Sequence, residues 1–162
     1  MPSELVVTGV RDALAVGLEI LESAKEEVVW LVPPSLLSLS ISYGFAEKTV
    51  PFIQNGGVSR GIVQISHANI KDVEICVESG EDVRHSHDGR ELWMVVGDGQ
   101  QSVSATNIGI DDFTLDTPAT AFWSDSPTYA QYLLNSFEHA WSQAVPAAER
   151  IQELSEHGTE QR

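Results

Sequence analysis

Residues 90–107 read Arg-Glu-Leu-Trp-Met-Val-Val-Gly-Asp-Gly-Gln-Gln-Ser-Val-Ser-Ala-Thr-Asn, and this stretch decides the fold. Met94-Val95-Val96 and Ser102-Val103-Ser104 are short runs of strand-forming residues on either side of Gly97-Asp98-Gly99-Gln100-Gln101. Two such runs joined by a turn containing Asp-Gly predict a β-hairpin. Asp98 is therefore first of all a turn residue, because Asp tolerates the turn backbone and bonds to nearby N–H groups.

Upstream, Val10, Leu14, Leu18 and Leu21 recur at helical spacing, with Thr8 placed to cap, so residues 10–24 predict a helix laid on a core. Val28-Val29-Trp30-Leu31-Val32 is wholly apolar and stops at Pro33-Pro34, which suits a central strand covered on both faces. Ser35 is expected to cap a helical region reaching toward Gln54, broken by Gly44 and Pro51. Gly61 to Ser66 reads as a second buried strand, and this alternation predicts a βαβ core with a parallel pair.

Asp72 to Glu78 and Glu81 to His85 are two shorter elements. Ala119 to Trp123 reads as the last strand. Ser124-Asp125-Ser126-Pro127 then starts a helix whose apolar stripe is Ala130, Leu133, Leu134, Phe137 and Trp141, and which continues past a break at Pro146 to Leu154. Residues 1–154 are expected to form one domain and 155–162 a flexible tail.

The chain has 162 residues, 42% of them hydrophobic, which suits one domain with an ordinary core. Nine Lys and Arg against 24 Asp and Glu leave a net charge of −15, which opposes direct binding to nucleic acid, where phosphate contacts draw on cationic side chains. A single cysteine, Cys76, excludes an internal disulfide. There is no basic-then-apolar leader and no apolar run near the length needed to span a bilayer, so a soluble cytoplasmic protein is expected.

The whole order of elements, from the first strand through Val83-Arg84-His85 and the hairpin to Ala121-Phe122-Trp123-Ser124 and Phe137-Glu138-His139-Ala140-Trp141, resembles the phospholipase D-like domain found C-terminally in TrmB-type transcription regulators. The resemblance covers residues 10–154. It implies an α/β fold with a mixed, mostly parallel sheet flanked by helices on both faces. In such regulators the domain serves effector sensing and dimer formation behind a winged helix-turn-helix. Here only nine residues precede the first helix, so DNA binding is expected to fall to a separate partner.

Enzymes of the superfamily carry His-x-Lys-x-x-x-x-Asp on one strand, followed by Gly-Ser-x-Asn. Aligning Asp98 with that Asp puts Glu91 in the place of the nucleophilic His and Trp93 in that of the phosphate-binding Lys, while Ser104-Ala105-Thr106-Asn107 fills the second box. Attack on phosphorus needs the imidazole, and the non-bridging oxygens need cations. Glu91 repels phosphate and Trp93 cannot neutralise it. The resemblance therefore implies a pseudoenzyme without a cofactor: a homodimeric sensor taking a small-molecule effector, with Trp93, Ser104, Asn107 and His85 as the ligand-binding residues. The alternatives are a phosphodiesterase or nuclease with a displaced site, in which His85 or His87 supplies the imidazole and Asn107 orients phosphate, and a purely structural interaction partner.

Other constellations read more simply. His85-x-His87-Asp88 has a metal-like spacing but lacks the three or four placed ligands a metal needs, so no metal is expected. Cys76, between Ile75 and Val77, reads as a small hydrophobe in a strand rather than a nucleophile served by His67 or His85. Trp30, Trp93, Trp123 and Trp141 read as core residues before an aromatic box, and Ser124-Asp125-Ser126 as a helix cap before an anion site.

Overall fold

The computed structural model describes residues 3–87, 92–106 and 114–156. Its elements are β1 (Glu4–Thr8), α1 (Val10–Ser23), β2 (Glu27–Leu31), α2 (Pro34–Tyr43), α3 (Phe45–Gln54), β3 (Val58–Val63), α4 (Ile70–Glu78) and β4 (Asp82–His85). They continue with β5 (Trp93–Gly97), β6 (Gln101–Ala105), β7 (Thr120–Ser124), α5 (Pro127–Gln143), β8 (Val145–Pro146) and α6 (Ala147–Glu156).

The strands form one sheet in the order β1-β7-β6-β5-β2-β3-β4-β8. Parallel pairing joins β2 to β3 and β3 to β4, each through a helical crossover, as the alternating pattern predicts. The other neighbours pair antiparallel, so the sheet is mixed but not mostly parallel. The expected hairpin is β5–β6, with Val95 opposite Val103. β1 has no counterpart in the sequence reading. Its partner β7, with Val6 opposite Phe122, lies more than a hundred residues away, so local pattern gives no sign of the pairing.

Side-chain alternation along the strands makes two cores. Val28, Val63, Val83, Trp93, Val95 and Val103 face α1 and the other helices on that side. Val29, Leu31, Ile62, Met94 and Val96 face the α5 stripe of Ala130, Leu133, Phe137 and Trp141. Helices therefore cover both faces, as expected. Among the described residues, no helix is long and apolar enough to cross a membrane.

Several local expectations are corrected. Gly44, at φ 120°, separates α2 from α3, but Pro51 does not break α3. Pro51 is solvent-exposed, so water can reach the carbonyl that lacks its usual donor, and Asn55 N–H still bonds back to the Pro51 carbonyl. Pro33 rather than Ser35 is the N-cap of α2, with Pro34 in the first turn. Cys76 lies in a helix, not a strand: Val73 and Cys76 are buried one turn apart while Ile75 and Val77 face solvent. Ser155 and Glu156 belong to α6, and the rest of the expected tail is outside the described residues.

Candidate functional site

Trp93, Leu31, Val63 and His85 all lie at the same edge of the sheet, set there by the registers of β5, β2, β3 and β4. This is the edge beyond the carboxyl ends of the parallel strands, where open α/β sheets commonly bind ligands. Residues 88–91 and 107–113 adjoin it in sequence. Glu91 and Asn107 fall among them and lie outside the described residues, as does Asp88.

Asp98 is at the opposite edge, in the β5–β6 turn, at φ 54°. Its Oδ1 accepts from the Glu26 and Glu27 amides at 2.8 and 2.9 Å, and its Oδ2 from the Lys25 amide at 2.9 Å. Its own N–H donates to the Glu27 carbonyl at 2.8 Å. Burial alone would raise its pKa, but these backbone donors outweigh burial and hold the carboxyl below its ordinary value. Asp98 is thus a clamp fastening the α1–β2 loop to the hairpin.

Trp93 is 2% exposed within a single protomer. Its ring lies where a Cβ on Gly17 would meet it at 3.2 Å, so the glycine in α1 lets helix and indole approach. Alternation along β5 turns Trp93, expected among the ligand-binding residues, into the α1-side core. Ser104 projects from the other face, its Oγ 3.4 Å from the Tyr129 hydroxyl. His85 stands three strands from β5. The structure therefore does not gather Trp93, Ser104 and His85 around one point.

His85 is 1% exposed, and its Nδ1 accepts the Ile65 N–H at 2.8 Å. In the neutral ring the proton then sits on Nε2, which faces His87 Nδ1 at 3.2 Å. Accepting that bond leaves the proton of neutral His87 on its own Nε2. Burial first, then the positive Arg150, lowers the His85 pKa from 6.5 to about 4. Below pH 6.5 the unfolded chain takes up a proton that the folded chain refuses, so the stability contributed by His85 is complete above that pH and lost by about pH 4. Wild type is expected to lose about 1–3 kcal/mol more than His85→Asn between pH 7 and 4.5. Urea unfolding of both across that range checks this, and parallel profiles refute it. Among the described residues, no group of three or more His, Cys, Asp or Glu is placed to hold a metal.

A second feature at the α1 side went unread in the sequence. Trp30, Trp93, Cys76 and Glu81 line one cavity with Ser40 and Thr49 between the sheet and α2, α3 and α4. Trp30 lies across Gly61 on the neighbouring strand, where any Cβ would stand 1.9 Å from the ring. Its Nε1–H donates to Glu81 Oε1 at 2.8 Å, and Ser59 Oγ donates to the same oxygen at 2.6 Å. Glu81 is 9% exposed, and burial raises its pKa against these bonds. Burial also pushes the Cys76 thiol well above its usual range, which disfavours the thiolate that a nucleophile needs. A lone Glu after Ser79-Gly80 gives no sequence sign of burial, since its partners are on β2 and β3.

The four tryptophans form no box. Trp141 belongs to the opposite core, with the Arg84 guanidinium 4.1 Å from its ring centroid, and Trp123 packs beside β1 and β6. Ser126 Oγ accepts the Tyr129 N–H, and Ser124 Oγ the Ser126 N–H, so this stretch caps α5.

This architecture is a phospholipase D-like fold. The chain aligns with Nuc of Salmonella typhimurium, a phospholipase D family member, at 16% identity and TM-score 0.69 over 90% of this chain and 98% of that one. It aligns with TrmBL2, an archaeal chromatin protein with a novel mode of DNA binding, at 16% identity and TM-score 0.67. There it covers 88% of this chain but 53% of TrmBL2, so it spans about half that protein's length. NucT of Helicobacter pylori aligns at 12% identity and TM-score 0.65 over 90% of this chain and 99% of NucT. No family model and no curated protein matches the sequence.

Proposed function

We propose that this chain is a catalytically inert phospholipase D-like domain that works by effector sensing and dimer formation in a regulatory, transcription-linked setting. The observation that carries the reading is Trp93: where the resemblance puts a cation for phosphate, an indole lies 2% exposed in the core. A buried indole offers phosphate neither charge nor access. The net charge of −15 adds general repulsion of polyanions, so contact with DNA falls to a separate DNA-binding partner. TrmBL2, with the same fold, is a chromatin protein, which supports the regulatory side of the reading.

The displaced-site phosphodiesterase is disfavoured by the histidine pair. A nucleophilic imidazole needs an unprotonated nitrogen facing its target. His85 supplies no open nitrogen, and His87 spends its Nδ1 on His85. Buffer-level turnover of bis-p-nitrophenyl phosphate and single-stranded DNA is expected. Turnover that disappears in His87→Ala or His85→Ala overturns the reading.

Pairing of two copies is the commonest mode of association for soluble chains. Light scattering at physiological salt is expected to give about twice the 17.7 kDa chain mass. A monomer mass independent of concentration removes dimer formation from the proposed role.

A further inference from the structure

The α1-side cavity has what a small-molecule site needs: a mostly apolar wall with a polar group aimed into it. It is walled mainly by Leu21, Val28, Val95, Phe45 and the two indoles, and one carboxyl converges on it. Its free space is about 40 Å³. On the same measure a water needs roughly 10–15 Å³, so the cavity takes about three water-sized groups. Among the lining residues Trp30, Ile41 and Phe45 are only half-buried, and they mark its approach to solvent.

The lining also decides the charge of the occupant. No Lys, Arg or His is among the lining residues, so an anion would have no partner there. A buried cation would have to pair with the Glu81 carboxylate in an apolar wall, and taking a carboxylate and an ammonium out of water together rarely gains on balance. Glu81 Oε1 accepts from Trp30 and Ser59, and the Cys76 side chain also bonds the carboxyl, so the group is fixed in place at the cavity wall. A carboxylic acid kept neutral by an apolar site can donate its proton in a hydrogen bond. The direction of the Glu81 titration, raised by burial, is the one this requires.

We infer that the cavity between β2, β5 and helices α2, α3 and α4 binds a small neutral organic molecule, a short hydrocarbon skeleton with one carbonyl or hydroxyl oxygen, held between Trp30 and Trp93 by the acid of Glu81. The inference rests on the sensing reading and names its effector class.

The test titrates the full chain with acetone and with its charged shape-analogues isopropylammonium and acetate, following the indole N–H resonances by NMR. Acetone is expected to shift Trp30 and Trp93 saturably in the millimolar range, leaving Trp123 and Trp141 unmoved, with both ions at least tenfold weaker. Ala46→Leu and Thr49→Ile, which fill the cavity from α3, abolish the saturable shift. Wild-type affinity falls as pH rises through the Glu81 titration, because a carboxylate repels a carbonyl oxygen. Glu81→Gln, still able to donate, binds independently of pH. No saturable shift, a shift that survives in whichever filling variant folds, or equal binding of either ion overturns the site. Phosphodiesterase turnover is scored separately: a silent cavity in an inert chain removes this site and leaves the inert reading standing, whereas turnover removes that reading whatever the cavity does.

Discussion

Replacing Trp93 with alanine is expected to lower the unfolding free energy by about 3–5 kcal/mol, the range for truncating a buried Trp in a core that relaxes only partly. The ring is 2% exposed, packs against α1 at Gly17 and walls the cavity, so its removal both withdraws apolar area from the interior and enlarges an existing void. Self-association of the folded fraction should be unchanged, because the indole is covered by its own chain. Urea unfolding and sedimentation of the same variant separate the two effects. A stable variant that no longer pairs would place Trp93 at an interface and sink the core assignment. Trp93→Phe should recover more than half of the lost stability, since a smaller aromatic still fills much of the space.

Sequence carried the architecture further than the chemistry. Val28 to Leu31 and Gly61 to Val63 announce buried strands by composition alone, and Ser126-Pro127 announces the start of α5, because such signals are local. The turn role of Asp98 was equally local: Asp before Gly needs only its neighbours, and φ 54° with three amide donors fits it. Failures came where burial depends on distant chain. Ile75-Cys76-Val77 is a short apolar run that reads like a strand, yet α4 buries Val73 and Cys76, one turn apart, and leaves Ile75 and Val77 exposed. Glu4–Thr8 pairs with β7, more than a hundred residues away, and no local signal names that partner.

The candidate site divides along the same line. Motif alignment fixes which residue types stand at given positions, so Trp93 could be singled out from sequence. Alternation along β5 and β6 decides which face each residue serves, and it sends Trp93 to the α1 side and Ser104 to Tyr129 on the α5 side. A pairing of the two in one cleft is ruled out by that parity. Glu81 shows the reverse: an ordinary acidic residue in the sequence becomes, through Trp30 and Ser59 on neighbouring strands, a buried acid at the head of a cavity. Its meaning exists only after β2, β3 and β4 have come together.

The second large effect is expected at Asp98. Asp98→Ala removes the acceptor of three backbone N–H groups at once and puts alanine at φ 54°, where a side chain unable to bond locally is strained. Bonds to a charged acceptor contribute about 1.5–3 kcal/mol each, but the loop amides here are partly solvated and water replaces some of the loss. A destabilisation of about 2–4 kcal/mol is therefore expected, with Asp98→Asn losing less because Asn tolerates this backbone region and keeps one acceptor. The carboxyl is held below its ordinary value of 3.8, so its contribution is complete well above that pH and fades as pH falls below it. Thermal unfolding at pH 7 and again near pH 3 decides the matter: the gap between wild type and Asp98→Ala should narrow in acid. A gap that stays constant would mean that the turn geometry, not the carboxylate, fastens the hairpin to the α1–β2 loop. An Asp98→Ala protein as stable as wild type at pH 7 would remove the clamp altogether.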